Sequence, residues 1–133
     1  MKPYTDLNQS RTLAEFLSHT TADQTWERIA IAGANLDVPE ELQYRHNGNM
    51  PFKIYSGVGI PCWSLAALLD VLPKVYYPVK DHPTYLTLGK PKDKWCALYF
   101  DVTGMQDGEQ TLADNLVDAC YEMILKLKEQ KLL

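Results

Sequence analysis

Residues 84–102, TYLTLGKPKDKWCALYFDV, decide the fold. TYLTL and KWCALYFDV are rich in β-branched and aromatic residues, and the GKPKDK stretch between them (89–94) carries Gly, Pro and Asp. Two strands joined by a short polar loop make an antiparallel pair. In the second strand Cys96, Leu98, Phe100 and Val102 share one face, and Trp95, Ala97, Tyr99 and Asp101 share the other. Neither face is polar, so this strand is expected to be central, or covered on both sides at one end.

Upstream of this pair, KVYYPV (74–79) is a strand candidate interrupted by Pro78, and Asp81-His82-Pro83 reads as a turn. Downstream, TGMQDGEQ (103–110) is a turn region and a helix follows over about 110–130. Leu112, Leu116, Cys120, Met123 and Leu127 trace its apolar stripe, flanked by Ala113, Val117 and Ile124. Asp114, Asp118, Glu122, Lys126 and Glu129 take the outer face. Acidic residues at its start and Lys126, Lys128 and Lys131 at its end suit the helix dipole. Glu122 and Lys126 form a favourable i, i+4 pair.

The second main helix lies in GIPCWSLAALLDVLPK (59–74), over about 64–72. Ser64 is a good N-cap, Leu65, Leu68, Leu69 and Leu72 form one face, and Pro73 stops the run. Trp63, just before the cap, is placed to staple onto Leu68, or else to serve as an exposed binding anchor. LQYRHNGNMPFKIYS (42–56) reads as a β-hairpin. A three-residue loop, 47–49, pairs Tyr44 with Phe52 and Leu42 with Ile54 and keeps one face apolar. TADQTWERIAIAG (21–33) fits either a capped helix or a turn followed by a strand, and we favour the second. Ser10 caps a short helix to about Leu17, and residues 1–8 form a loose lead-in.

Together these elements predict a single α+β domain over residues 1–133. Its sheet is mainly antiparallel, of four to six short strands, packed by two main helices (about 64–72 and 110–130) and joined by a short N-terminal helix. The β-α-β alternation and Gly-rich turns of a doubly wound nucleotide-binding fold do not occur.

Three of these segments carry a resemblance. IPCWSLAALLDVLPK (60–74) resembles the P-A-W-S-L-x-A-L-L-x-x-L-P run of short uncharacterised proteins from prophages and mobile elements of gut bacteria. TADQTW (21–26) is similar to their T-A-D-M-x-W/Y segment, and QTLADNLVDACYEMILKLKEQK (110–131) to their C-terminal helix. Cys62 stands where Ala is usual, and Leu125 or Lys126 near the usual Trp. The resemblance implies a phage-type accessory protein and no particular activity.

Composition narrows function by exclusion. Hydrophobic residues make up 46% and charged residues 23%, as in an ordinary globular protein. The net charge of -4 argues against wrapping a nucleic-acid backbone. Cys62, Cys96 and Cys120 have no paired spacing and are expected to be small buried side chains in a reducing compartment. No N-terminal apolar stretch of signal-peptide length occurs, and no segment approaches the ~20 apolar residues of a membrane span, so the expected location is the cytoplasm.

No residue qualifies as catalytic, cofactor-binding or metal-ligating. Cys62 at a helix start could be a thiolate, but it would need a base such as His46 or His82, and no spacing supplies one. His19 and Asp23, four apart, are too common a pair to make a metal site. Lys90, Lys92 and Lys94 are interrupted by Asp93 and read as a solvated hairpin tip before they read as a nucleic-acid contact. The eight tyrosines are more informative. Tyr76, Tyr77, Tyr85, Trp95 and Tyr99 fall in strands, so a sheet face without helices would be an aromatic patch. The candidate interaction surface is Trp63, Trp95, Tyr99 and Tyr85. The expected function is a non-enzymatic interaction module that binds another protein or itself, without membrane or cofactor. The alternatives are an enzyme or ligand-binding domain with a pocket between sheet and helices, and a nucleic-acid accessory factor acting through the lysine loop.

Overall fold

The computed structural model describes residues 2–27, 44–47, 60–79, 82–101 and 109–133. In chain order the elements are α1 (Leu7–Ala14), a 3₁₀ turn (His19–Thr21), β1 (Gln24–Glu27), β2 (Tyr44–Asn47), β3 (Ile60–Cys62), α2 (Leu65–Val71), β4 (Val75–Val79), β5 (His82–Gly89), β6 (Trp95–Phe100), β7 (Gln110–Ala113) and α3 (Leu116–Glu129). The fold is α+β, with every strand pairing antiparallel. The strands form two sheets rather than the one expected, ordered β2-β1-β3 and β4-β5-β6-β7. The chain divides into two compact units, residues 4–67 and residues 68–133 with the first three, and each holds one sheet.

In the unit of residues 68–133, β6 is central as its two apolar faces predict. It pairs with β5 from Tyr85↔Phe100 to Gly89↔Cys96 and with β7 from Trp95↔Ala113 to Leu98↔Gln110. The consecutive residues Cys96 and Ala97 are both buried, so both faces are covered at that point. On the edge strand β4, register breaks between Tyr76 and Val79. Pro78 sits in that break, where its missing N–H costs no ladder bond. Of the expected turn at Asp81-His82-Pro83, His82 and Pro83 belong to β5, and His82 pairs with Val79; Asp81 lies outside the described residues.

The C-terminal helix starts later than its apolar spacing suggests. Residues 110–113 are strand β7, and Asn115 caps α3. The Asn115 side-chain oxygen accepts from the Asp118 N–H at 2.8 Å, and its amide donates to the Asp118 carboxylate at 2.8 Å. Val117, Ala119, Cys120, Met123, Ile124 and Leu127 form the buried stripe of α3, which packs on β6 and β7. Replacing Asn115 by Ala leaves the Asp118 N–H unpaired and should cost about 1 kcal/mol, read from the urea midpoint, while Asn115→Ser should cost far less.

In the unit of residues 4–67, α1 packs on β3. Its cap is Asp6, not Ser10. The Asp6 carboxylate accepts from the Gln9 N–H at 2.8 Å, and Gln9 Oε1 accepts from the Asp6 N–H at 3.1 Å, a complete capping box. Ser10 is instead a buried residue inside the helix, with its Oγ 2.8 Å from Thr5 Oγ1. Thr5 is itself fully buried and Tyr4 bridges to Ser64, so this part of the expected loose lead-in is tied down. The helix also stops short of the expected Leu17. The favoured turn-then-strand reading of 21–33 holds over residues 21–27, with the turn starting at His19; Ile29 and Ile31 lie outside the described residues. Tyr44–Asn47 is a strand, but its described partner is β1, from Gln24↔Asn47 to Glu27↔Tyr44. The expected pairings of Tyr44 with Phe52 and Leu42 with Ile54 lie outside the described residues.

Candidate functional site

Ser64 does cap α2: its hydroxyl accepts from the Ala67 N–H at 3.2 Å. The Asp23 carboxylate accepts from both the Ser64 N–H, at 2.9 Å, and the Ser64 hydroxyl. Asp23 is therefore a brace for the helix start. Among the described residues no group of three or more His, Cys, Asp and Glu side chains could hold a metal ion.

Trp63 is fully buried. Its indole N–H donates to Thr21 Oγ1 at 2.9 Å, its backbone N–H donates to Thr5 Oγ1 at 3.1 Å, and its carbonyl accepts from the Thr5 N–H at 2.9 Å. It is a structural anchor and leaves the expected interaction surface. Cys62 is also fully buried, and its thiol donates to the Thr5 carbonyl at 3.5 Å. The thiol considered as a nucleophile is thus enclosed and bonded to the backbone. Trp26 donates its indole N–H to the same carbonyl at 3.2 Å and meets Tyr4 edge-on at 5.6 Å. Thr5 is thus the hub of this unit, a role its place in the sequence does not announce.

Tyr99 leaves the expected surface too. It is buried, its hydroxyl donates to the Pro73 carbonyl at 2.7 Å, and its ring meets Tyr76 edge-on at 5.5 Å. Burial, and secondarily the neighbouring Cys120 thiol, push the Tyr99 phenol well above its ordinary range. Burial also raises the Cys120 thiol to about 11. Trp95 is half-buried, with the Lys90 ammonium 5.3 Å from its ring centroid in a cation–π contact. Lys94 pairs with Asp114. Two of the three loop lysines therefore have partners within the chain. His82 is exposed at the start of β5, and His46 lies in β2.

What remains exposed is one face of the four-stranded sheet. Residues paired across antiparallel strands share a face. Ala97 and Thr111 are such a pair, and the Thr111 hydroxyl donates to the Ala119 carbonyl of α3 at 2.7 Å. That is the helix-covered face, and Tyr99 belongs to it. The other face carries Val75↔Tyr85↔Phe100 and Cys96↔Leu112, with Tyr77 two residues on from Val75. On it Tyr77 is 59%, Tyr85 44%, Phe100 50% and Leu112 54% exposed. Of the four expected residues only Tyr85 stands on this surface. The sequence alone places Phe100 on one of the two non-polar faces of its strand and Leu112 on a helix stripe.

An open groove of about 450 Å³ runs beside β7, lined by Gln110, Thr111, Leu112, Glu122 and Lys126. In it the Lys126 ammonium donates to the Gln110 carbonyl at 2.8 Å and lies 3.8 Å from the Glu109 carboxylate. No helix among the described residues is long and apolar enough to cross a membrane.

No family model, curated protein or solved structure matches this chain.

Proposed function

We propose that this chain is a small, non-enzymatic interaction protein of the cytoplasm, an accessory factor of the phage or mobile-element type that its sequence resembles. The observation that carries the proposal is the exposed sheet face of Tyr77, Tyr85, Phe100 and Leu112. Monomers rarely leave several large apolar side chains of one sheet face open to water unless that face binds something. Tyrosine and phenylalanine supply large contact area at small entropic cost, as interface anchors do. The paired positions on this face (Val75, Tyr85, Thr87, Gly89, Cys96, Leu98, Phe100, Gln110 and Leu112) bear no charge, so the partner it suits is another protein with an apolar surface. The reducing interior of a cell suits the three free, buried cysteines.

The test is capture of partners from a gut-bacterial lysate by the wild-type chain and by a Tyr85→Ser, Phe100→Ser double variant. Both residues are exposed, so the variant should keep its melting temperature. Truncating two anchors should weaken the specific partner by about 30-fold or more, corresponding to about 2 kcal/mol. If wild type and variant retain the same proteins equally, the face is not the binding surface.

A further inference from the structure

We propose that the open edge of β7 pairs with β7 of a second copy of this chain, joining two four-stranded sheets into one. This rests on the sheet edge and on α3, and not on the apolar face being a binding surface.

Among the described residues β7 is the last strand of its sheet. The Glu109 carbonyl accepts from the Tyr99 N–H at 3.0 Å, which turns the backbone of Glu109, and by alternation Thr111 and Ala113, towards β6. The backbone groups of Gln110 and Leu112 therefore point away from the sheet, into the groove. Among the described residues the side chain that meets them there is Lys126, on the Gln110 carbonyl. Such an edge is a template for strand addition.

The choice of a second copy follows from charge. α3 runs antiparallel to β7. The Lys126 ammonium stands level with Gln110, and Glu122, which lines the same groove four residues earlier, carries its side chain about 6 Å further back along the helix. Two strand residues span about 6.6 Å, so Glu122 stands level with Leu112. A two-fold axis perpendicular to the sheet, midway between the two β7 strands and level with Thr111, pairs Gln110 of each copy with Leu112 of the other. The same operation sets Lys126 of each copy against Glu122 of the other. Both copies of α3 then lie on one face. Because α3 packs on both β6 and β7, their axes fall about 10 Å apart, a normal helix packing distance. The edge is thus self-complementary in hydrogen bonds, in charge and in helix spacing. On docking, Lys126 moves from the Gln110 carbonyl to the partner's carboxylate, and the carbonyl receives the partner's backbone N–H.

Sedimentation velocity on the full chain, up to millimolar concentration, tests this. The wild type should show a concentration-dependent dimer. Glu122→Lys alone and Lys126→Glu alone should each weaken it by about tenfold or more, because each sets like charges across the axis. Mixing these two variants should restore the dimer, since one copy then presents two lysines to two glutamates. Leu112→Pro, which removes an outward N–H without touching the bonds to β6, should abolish it while α3 and the β6 pairing keep their far-UV signature. The proposal is overturned if the wild type stays monomeric, if the mixture stays monomeric, or if Lys126→Glu strengthens association. The last result would make Lys126 a guard of the edge rather than part of a contact.

Discussion

Replacing Trp63 by alanine is expected to remove about 3–5 kcal/mol of folding stability, the range for emptying a buried tryptophan site. Three features combine at this position. The side chain is fully enclosed, so its whole apolar surface is returned to water on unfolding. Its indole N–H is the donor to Thr21 Oγ1, which ties the 3₁₀ turn to the segment entering α2. Its backbone makes a two-way connection with Thr5, the residue that also accepts from Trp26 and Cys62. A cavity here therefore loosens the start of the chain, the turn and β3 together. A domain of ordinary stability holds about 5–15 kcal/mol, so the variant should sit near the edge of folding. Urea unfolding followed by far-UV circular dichroism measures the loss. Trp63→Phe keeps most of the packing but not the indole N–H, and should cost clearly less than the alanine. A loss below about 1 kcal/mol for Trp63→Ala would contradict the burial on which this rests.

The elements legible in the sequence are those set by neighbours along the chain. The β5–β6 hairpin, the Ser64 cap with its proline stop, and the apolar stripe of α3 each need only local spacing and turn chemistry. β7 was not legible for a physical reason. Leu112 and Leu116 are four apart, as on a helix face, whereas the strand at 110–113 is fixed by its partner β6 and the helix by a side-chain cap at Asn115. The start of α1 shows the same limit: Ser10 and Asp6 are both cap residues by type, and burial of Ser10 against Thr5 decides between them. The exposed face was half legible. Strand alternation sorted Tyr99 from Phe100, but which side α3 would cover depends on where the helix docks. Tyr99 is on the side of Ala97, a small residue beneath the helix, and that pairing was the available signal. Trp63 illustrates the converse. Its residue type suits both a binding anchor and a core anchor, and three hydrogen bonds to distant residues make it the latter.

Alkaline pH should destabilise the protein from about pH 9 upward, through the buried pair Cys120 and Tyr99. Cys120 is fully buried on the α3 stripe, and burial lifts its thiol from 9.0 to about 11. Below about pH 9 the thiol is protonated in both folded and unfolded chains, and its contribution to stability is fully present. Between about 9 and 11 the unfolded chain loses this proton while the folded chain keeps it. The folded state then binds more protons than the unfolded state, and the free energy of unfolding must fall as pH rises. At about 1.4 kcal/mol per pKa unit the loss approaches about 2–3 kcal/mol by pH 11. Tyr99 extends the loss upward in pH, because burial first and the Cys120 thiol second hold its phenol above its ordinary value. Urea midpoints measured from about pH 7 to about pH 11 should trace this decline. Cys120→Ala should flatten the curve up to about pH 10, at the cost of a small cavity that lowers stability equally at every pH. Tyr99→Phe should flatten the part above that, and its own cost is the unpaired Pro73 carbonyl. A Cys120→Ala curve parallel to the wild type throughout would show that ionisation of other groups drives the alkaline transition. A thiol reagent reports the same burial independently: at neutral pH Cys120 should react only as fast as the chain opens, and its labelling rate should rise with the fall in stability.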